Sequence, residues 1–139
     1  MSIEENKKIA LRFATEGWGT MTHWRQVWDE LVSPNVVHHF NSSSKPIIGL
    51  EANKEFNLTL FEGFPDIKQT IEDIVAEENT VVYRTTIEGT HTGEFLGIPP
   101  SNKSAKINDF TLLKIANSQI VEWWYECNLL ELMTQLGLA

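Results

Sequence analysis

The sequence is poor in cysteine and lacks long apolar runs. Its single cysteine, Cys127, excludes an intrachain disulfide. The four histidines have no cysteine cluster beside them, which argues against a structural zinc site. No apolar run approaches the roughly 20 residues that span a bilayer, and the amino-terminal residues lack the apolar stretch of a signal peptide. We therefore expect a reduced, soluble, cytoplasmic protein that binds no metal.

Basic residues are also scarce. There are 11 Lys and Arg against 19 Asp and Glu, which gives a formal net charge of −8 at pH 7. A surface of this sign repels phosphate backbones and anionic lipids, so neither nucleic-acid nor membrane-surface binding is expected. With 42% hydrophobic residues, the chain has enough apolar side chains for one core. Its length fits a single domain over residues 1–139.

The first half of the sequence has the spacing of helices. A capping-box pattern begins at Ser2, and the residues after it recur at helical intervals: Ile9, Ala10, Phe13 and Ala14. A second helical stripe has Thr22 as its expected N-cap and consists of Trp24, Val27, Trp28, Leu31 and Val32. Pro34 is expected to end that helix. We interpret Val36–Phe40 as a short strand and residues 49–61 as a third helix.

The second half favours strands. Ile67–Ala76 and Thr80–His91 predict one hairpin, and Ala105–Ile115 and Gln119–Cys127 predict another. A short amphipathic helix follows. Because helices come first and an antiparallel meander follows, we expect an α+β fold with helices packed on one face of a curved sheet. The concave interior of such a sheet is a natural small-molecule site.

Histidines provide the first candidate site residues. His38 and His39 are adjacent in the predicted strand, so only one of them can face inward. A neutral imidazole in an apolar cavity is a competent base near neutral pH, whereas the alternative is one hydrogen-bonded and one solvated histidine. His91 stands where a strand meets a glycine-rich loop and is either a turn residue or a site residue. The adjoining apolar residues predict a lid over a cavity mouth: Phe95, Leu96 and Ile98.

The last strand provides the second group of candidates. In a regular strand, Trp124, Glu126 and Asn128 share one face. A Trp above a polar pair fits a flat, partly polar ligand. The alternative is a core Trp, a rim Glu and an Asn that caps the terminal helix. The aromatic residues that we expect to contact a ligand are Trp28, Phe40, Phe95 and Trp124, with core filling as the alternative for Trp28.

Other catalytic patterns are weak or missing. Arg84 and Asp109 lie in different predicted strands, and no spacing brings them together into an Asp–Arg–Asp cluster that activates water. The sequence has no phosphate-binding glycine loop, no Gly-x-Ser-x-Gly elbow and no His-Glu-x-x-His helix. Cys127 has no evident basic neighbour, so we interpret it as a buried, inert thiol.

Four stretches carry a resemblance to a known family. They are Phe64–Asp66, Ile71–Asp73, Gly89–Pro100 and Ile120–Gly137, and they resemble the SnoaL-like polyketide (ester) cyclases. The resemblance covers nearly the whole chain, and its most specific parts are the Gly-Thr-His-Thr-Gly-Glu-Phe-Leu-Gly-Ile-Pro-Pro run and the Gln-Leu-Gly ending. It implies a cone-shaped α+β barrel of the nuclear transport factor two-like kind, in which a mainly antiparallel sheet wraps around helices.

The resemblance also implies a chemistry. Characterised members close a ring of a polyketide ester by aldol condensation without metal or cofactor, and an Asp at the end of the last strand acts as acid and base. Asn128 occupies that position here, and an amide cannot accept and return a proton at neutral pH. His39 and His91 match histidines of the family. We therefore expect Asn128 to orient the ligand and His39 to be the base if it points inward, because Glu126 is displaced by about 6–7 Å along the strand.

Two functions follow from this pattern. The first is a cofactor-independent lyase or isomerase that acts on a small apolar or polyketide-like carbonyl compound. The second is a non-catalytic module that binds a small apolar ligand or dimerises through its sheet face, which the Asn at position 128 favours. The same barrel hosts epoxide hydrolases and ketosteroid isomerases, but neither site pattern is found in the sequence.

Overall fold

A computed structural model describes residues 2–139, which form four helices and a six-stranded sheet. In chain order the elements are α1 (Ile3–Thr15), α2 (Trp24–Leu31), β1 (Val32–Phe40), β2 (Ile47–Ile48), α3 (Leu50–Gly63), β3 (Lys68–Glu77), β4 (Thr80–Thr90), β5 (Ser104–Ala116), β6 (Gln119–Cys127) and α4 (Leu129–Gln135). The strand order across the sheet is β2-β1-β6-β5-β4-β3. Strands β1 and β6 are parallel, and the other neighbours are antiparallel. The predicted α+β fold with a mainly antiparallel sheet is confirmed.

The helix starts follow from their capping residues. The Ser2 hydroxyl accepts a hydrogen bond from the Glu5 amide at 3.0 Å, and the Glu5 carboxylate accepts one in return, which completes the predicted capping box. The N-cap prediction for α2 is wrong by one residue, because His23 occupies that position. The Thr22 hydroxyl instead donates to the Gly19 carbonyl at 2.8 Å, in the turn that precedes the helix.

Strand β1 begins earlier than predicted. Val32 already pairs with Ile120 of β6, although Pro34 follows two residues later. The pairing is irregular between Val32 and Val37, so the missing amide of Pro34 falls where no regular ladder bond is needed. The sequence did not predict β2, because two residues are too short to show a periodicity.

The register of the central strands decides which side chains face the interior. Asp109 of β5 lies between Thr85 of β4 and Cys127 of β6, and all three are on the concave face. Two residues further along β5 and on the same face, Thr111 lies between Tyr83 and Tyr125. The residues of β5 alternate between buried and less buried along most of its length, which is the pattern of a strand with one face on a core. Helices α1, α2 and α3 supply buried apolar side chains to that core.

The glycine-rich loop between β4 and β5 is held against the end of α3. The Gly93 amide donates to the Gly63 carbonyl at 3.1 Å, and Phe95 is buried. A Cβ on Gly93 would lie 1.9 Å from the backbone oxygen of Glu62, so this approach is open only to glycine.

We expect Gly93→Ala to destabilise the fold by about 3 kcal/mol, because the helix backbone cannot move away from the added methyl group. Gly97→Ala is the matched control in the same loop, because a Cβ there has no atom within 4 Å. The control loses only the backbone cost of an alanine at a φ of 78°, about 1 kcal/mol. Urea unfolding of both variants measures the difference. Equal losses of stability would contradict this account of how the loop docks.

No helix within residues 2–139 is long and apolar enough to cross a bilayer. The same residues contain no cluster of three or more His, Cys, Asp or Glu side chains with the arrangement of a metal site.

Candidate functional site

Two adjoining cavities lie inside the concave face of the sheet. The polar cavity, about 80 Å³, is lined by His38, Asn53, Asn57, Gln69 and Thr111 together with aromatic side chains that include Trp28. The apolar cavity, about 60 Å³, is lined by side chains such as Phe64, Ile87, Phe95, Leu129 and Leu132. Both cavities share the side chains of Phe40, Phe56, Leu60 and Tyr125. Each volume exceeds the 10–15 Å³ or so that a single water needs, and the shared wall brings the two within reach of one ligand.

His38 is the histidine that faces the interior. Its residue exposure is 6%, and its ring lies 4.4 Å from the ring of Trp123, the residue paired with it on β6. The Nδ1 atom lies 2.9 Å from the side-chain oxygen of Asn53, on α3. Strand β1 and helix α3 therefore position this ring together.

Asn53 fixes the tautomer of His38. Its amide nitrogen donates to the Ile47 carbonyl at 3.1 Å and to the Gly49 carbonyl at 2.8 Å, which leaves its oxygen to face the histidine. An amide oxygen only accepts hydrogen bonds, so Nδ1 of His38 carries the hydrogen and Nε2 carries the lone pair. Asn53 is 1% exposed, so water does not compete for these bonds.

The Nε2 atom of His38 is a buried acceptor without a hydrogen-bond partner in the part of the chain that the structure describes. Burial disfavours the charged ring and lowers the pKa of His38 to about 4, although the bond to Asn53 acts in the opposite direction. The ring is therefore neutral at pH 7 and carries an unpartnered lone pair, and His38 lines the polar cavity. This is the arrangement of a proton acceptor.

His39 lies on the opposite face of the sheet. Its Nε2 atom is 2.7 Å from the Glu122 carboxylate, and its ring stacks on Trp124 at 4.7 Å. The rule that adjacent strand residues face opposite sides therefore places His38 inside and His39 outside. The sequence predicts His39 as the base only if its side chain points inward. In the structure, this side chain points outward.

The last-strand candidates are not brought together in a cavity. Trp124 shares the outer face with His39, and the exposed Glu126 carboxylate accepts a hydrogen bond from the Ser42 hydroxyl. Asn128 lies beyond the end of β6, is exposed, and caps α4 by accepting a hydrogen bond from the Glu131 amide at 2.9 Å. The alternation of a strand does not extend to a residue outside it, so the three residues do not form one site.

His91 holds the glycine-rich loop. Its side chain is fully buried, and its Nδ1 atom accepts a hydrogen bond from the Ser101 amide at 3.2 Å, with the Ser101 hydroxyl at 3.0 Å. Its ring stacks on Phe64 at 5.2 Å, and Phe64 in turn contacts Phe95. Of the three residues expected to form a lid, Phe95 lines the apolar cavity, whereas Leu96 is half exposed.

Sequence reasoning missed a buried polar group in the middle of the sheet. Asp109 is 1% exposed, and burial raises the pKa of its carboxyl to about 7, although interaction with the Tyr125 hydroxyl partly offsets this. Arg84 points to the outer face, where its Nε donates to Asp73 at 2.9 Å, so no Asp–Arg–Asp cluster forms around Asp109. The alternating apolar pattern of β5 is the sequence signal that could have predicted an inward-facing Asp109.

The family of the chain follows from comparison with known proteins. A family profile for SnoaL-like polyketide cyclases matches residues 8–136. No significant match is found among curated proteins.

Solved structures give the same result. One from Jannaschia sp. CCS1, provisionally described as a SnoaL-like polyketide cyclase, is 35% identical, with a TM-score of 0.94 over 100% of this chain and 96% of its own. AclR from Streptomyces galilaeus, provisionally described as a hydroxylase, is 25% identical, with a TM-score of 0.83 over 98% and 83% of the two chains. IdmH from Streptomyces antibioticus, at 22% identity over 95% and 98% of the two chains, shares the fold, with a TM-score of 0.81. The chain therefore belongs to the SnoaL-like polyketide cyclase family.

Proposed function

We propose that this protein performs cofactor-independent acid/base chemistry, an aldol cyclisation or an isomerisation, on a small carbonyl compound held in the two cavities. The observation that carries the proposal is the free, buried Nε2 atom of His38 in the wall of the polar cavity. The carbonyl end of the ligand lies beside His38, and its apolar part occupies the apolar cavity.

His38 is the base of the proposed reaction. Its Nε2 atom takes a proton from a carbon between two carbonyl groups, and the electron pair moves onto a carbonyl oxygen to give an enolate. The enolate carbon then attacks a second carbonyl carbon, and the new alkoxide takes the proton back from Nε2. Asn53 stabilises the imidazolium meanwhile, because its oxygen accepts the Nδ1 hydrogen at 2.9 Å throughout.

The low pKa of His38 restricts the substrate class. A base whose conjugate acid has a pKa of about 4 removes protons only from carbon that is already acidic. An enolate formed beside the new imidazolium offsets part of the difference, because opposite charges attract strongly in a buried site. β-Keto esters and related dicarbonyl compounds meet this requirement, and simple ketones do not.

The test is proton exchange. The full-length protein is incubated with ethyl acetoacetate in D2O, and exchange at the carbon between the carbonyls is followed by NMR. We expect exchange above the buffer rate, lost when His38 is replaced, with an acid limb near pH 4 that reports the pKa of His38. Exchange at the buffer rate despite saturable binding of the ester would exclude catalysis and leave the binding module.

A specific observation favours the non-catalytic alternative. Asn128 stands where the family resemblance places the catalytic Asp, yet it is an exposed helix cap here. On this alternative the cavities bind a small apolar ligand without converting it.

We also infer a homodimer formed through the outer face of the sheet. One apolar row crosses four paired strands there, and its members are Val75, Val82, Leu112 and Trp124. Val75 is 63% exposed in the single chain, and such a row is favourably covered by a second copy. Sedimentation at micromolar concentration is expected to give a dimer that Leu112→Glu converts to monomer, and a monomeric wild-type protein would refute the inference.

A further inference from the structure

The inner face of the sheet carries a polar row between the two cavities. On β5, Ile107 lines the apolar cavity and Thr111 lines the polar cavity, and Asp109 lies between them. Thr85 and Cys127 flank Asp109 on the neighbouring strands. Within this row, Cys127 lines the apolar cavity, whereas Asp109 and Thr85 line neither cavity.

The row contains polar atoms that the fold leaves without partners. Apart from its interaction with the Tyr125 hydroxyl, the Asp109 carboxyl has no hydrogen-bond partner among residues 2–139, and the Thr85 hydroxyl has none. Their exposures are 1% and 0%. Leaving such groups unpaired in a core is costly, so their presence calls for a role other than stability.

Tyr125 connects Asp109 to the cavities. Its side chain lines both of them, while its hydroxyl interacts with the side chains of Asp109 and Cys127. Burial and the nearby carboxylate raise the pKa of Tyr125 well above its ordinary value, so the hydroxyl keeps its proton at physiological pH. Asp109 itself does not line either cavity, so any effect on a ligand passes through Tyr125.

We propose that Tyr125 donates the hydrogen bond that holds the carbonyl or enolate oxygen of the ligand, and that Asp109, when protonated, is the positioning residue that frees the Tyr125 proton for it. The inference rests on the proposed function, because it takes the ligand to be a small carbonyl compound. It adds a second polar contact to the one that His38 provides.

The two protonation states of Asp109 have opposite effects on Tyr125. An ionised carboxylate attracts the hydroxyl proton, since hydrogen bonds to charged acceptors are the stronger ones, and the ligand then meets only a tyrosine lone pair. A protonated carboxyl donates to the tyrosine oxygen, and the hydroxyl proton turns to the ligand. No covalent bond is made or broken in this exchange of hydrogen-bond partners.

Several groups around this row have a pKa that departs clearly from its ordinary value. Among them, Asp109 is the one whose pKa lies between 6 and 9. The pKa of its carboxyl is about 7, that of His38 is about 4, and burial raises the pKa of the Cys127 thiol and of both tyrosine hydroxyls. Helices α3 and α4 face the cavities with uncharged side chains, and one carboxylate stands in the wall of the apolar cavity. The titratable groups in question are Tyr83 and Glu88 on β4, Tyr125 and Cys127 on β6, and His38 on β1.

Binding of acetophenone labelled with ¹³C at its carbonyl tests the inference on the full chain. We expect the dissociation constant to rise above pH 7 and to level off about tenfold higher, because the ionised carboxylate removes one hydrogen bond from the ligand. Asp109→Asn, a neutral side chain at every pH, is expected to bind as the wild type does at pH 6 and to lose the pH dependence. Tyr125→Phe is expected to weaken binding about tenfold at pH 6 and to abolish the downfield shift of the carbonyl carbon.

A matched control and a measurement without variants complete the test. Asp73→Asn removes an exposed carboxylate on the outer face and is expected to keep the wild-type pH dependence. Calorimetry of the wild type at pH 8 in two buffers is expected to show net proton uptake on binding. Absent binding, a pH-independent dissociation constant or no proton uptake would overturn the inference. Such a result would leave the proposed catalysis intact if proton exchange still depended on His38. Conversely, intact acetophenone binding without catalysed proton exchange would refute the proposed catalysis alone.

Discussion

His38→Asn is expected to lower the rate of protein-catalysed proton exchange by a factor of about 10²–10⁴, which is the range that a positioned general base contributes. The asparagine amide occupies the position of Nδ1 and still donates to Asn53, so the variant removes the Nε2 lone pair and little else of the hydrogen-bond network. NMR in D2O with ethyl acetoacetate measures the rate constant.

His39→Asn is the matched control for this result, because it makes the same chemical change one residue along the chain. His39 pairs with Glu122 on the outer face and does not line either cavity. Its replacement is expected to leave the exchange rate within about twofold, the margin of an exposed substitution. Equal losses in the two variants, or a loss in His39→Asn alone, would remove His38 from the role of base.

Asp109→Asn is expected to raise the free energy of unfolding by up to about 4 kcal/mol above pH 7 and to leave it unchanged below pH 4. The carboxyl has a pKa of about 7 in the folded protein and 3.8 as a reference, so the folded state binds more protons between these values. The contribution of this carboxyl to the free energy of unfolding is thus fully present below pH 4 and is lost as the pH rises to 7. The asparagine avoids this loss because it never ionises.

Urea unfolding at pH 4, 5.5 and 8 measures the effect, with Asp73→Asn as the control. Asp73 is an exposed partner of Arg84, and the loss of an exposed ion pair changes stability little. A variant at position 109 that is no more stable than the wild type at pH 8 would show that the carboxylate has found partners in the folded protein.

Much of the fold could be predicted from local patterns. The capping box at Ser2 and the two hairpins are specified by residues close in sequence, and all three are present. The parallel pairing of β1 with β6 could not be predicted in this way, because it joins segments about 85 residues apart and is set by packing. The N-cap of α2 was placed one residue too early, because the turn in which Thr22 bonds to the Gly19 carbonyl has no clear sequence signature.

The site was harder to predict than the fold for three physical reasons. The alternation rule said that one of two histidines faces inward, but the pairing of His38 with Trp123 decides which. Asn128 was grouped with Trp124 as if the strand continued, whereas β6 ends at Cys127. Asp109 drew attention only as a partner for Arg84, and its isolation inside the sheet depends on three strands that are brought together by folding.

Folding replaces two charged groups, at His38 and Asp109, with two neutral groups in the interior. Between about pH 4 and 6.5 the unfolded chain holds an imidazolium and a carboxylate at these positions, and the folded chain holds two neutral groups. Folding in this interval therefore involves no net uptake or release of protons by these two groups. The two opposite slopes of stability with pH cancel in this interval, so these two groups together leave the free energy of unfolding unchanged by acidification.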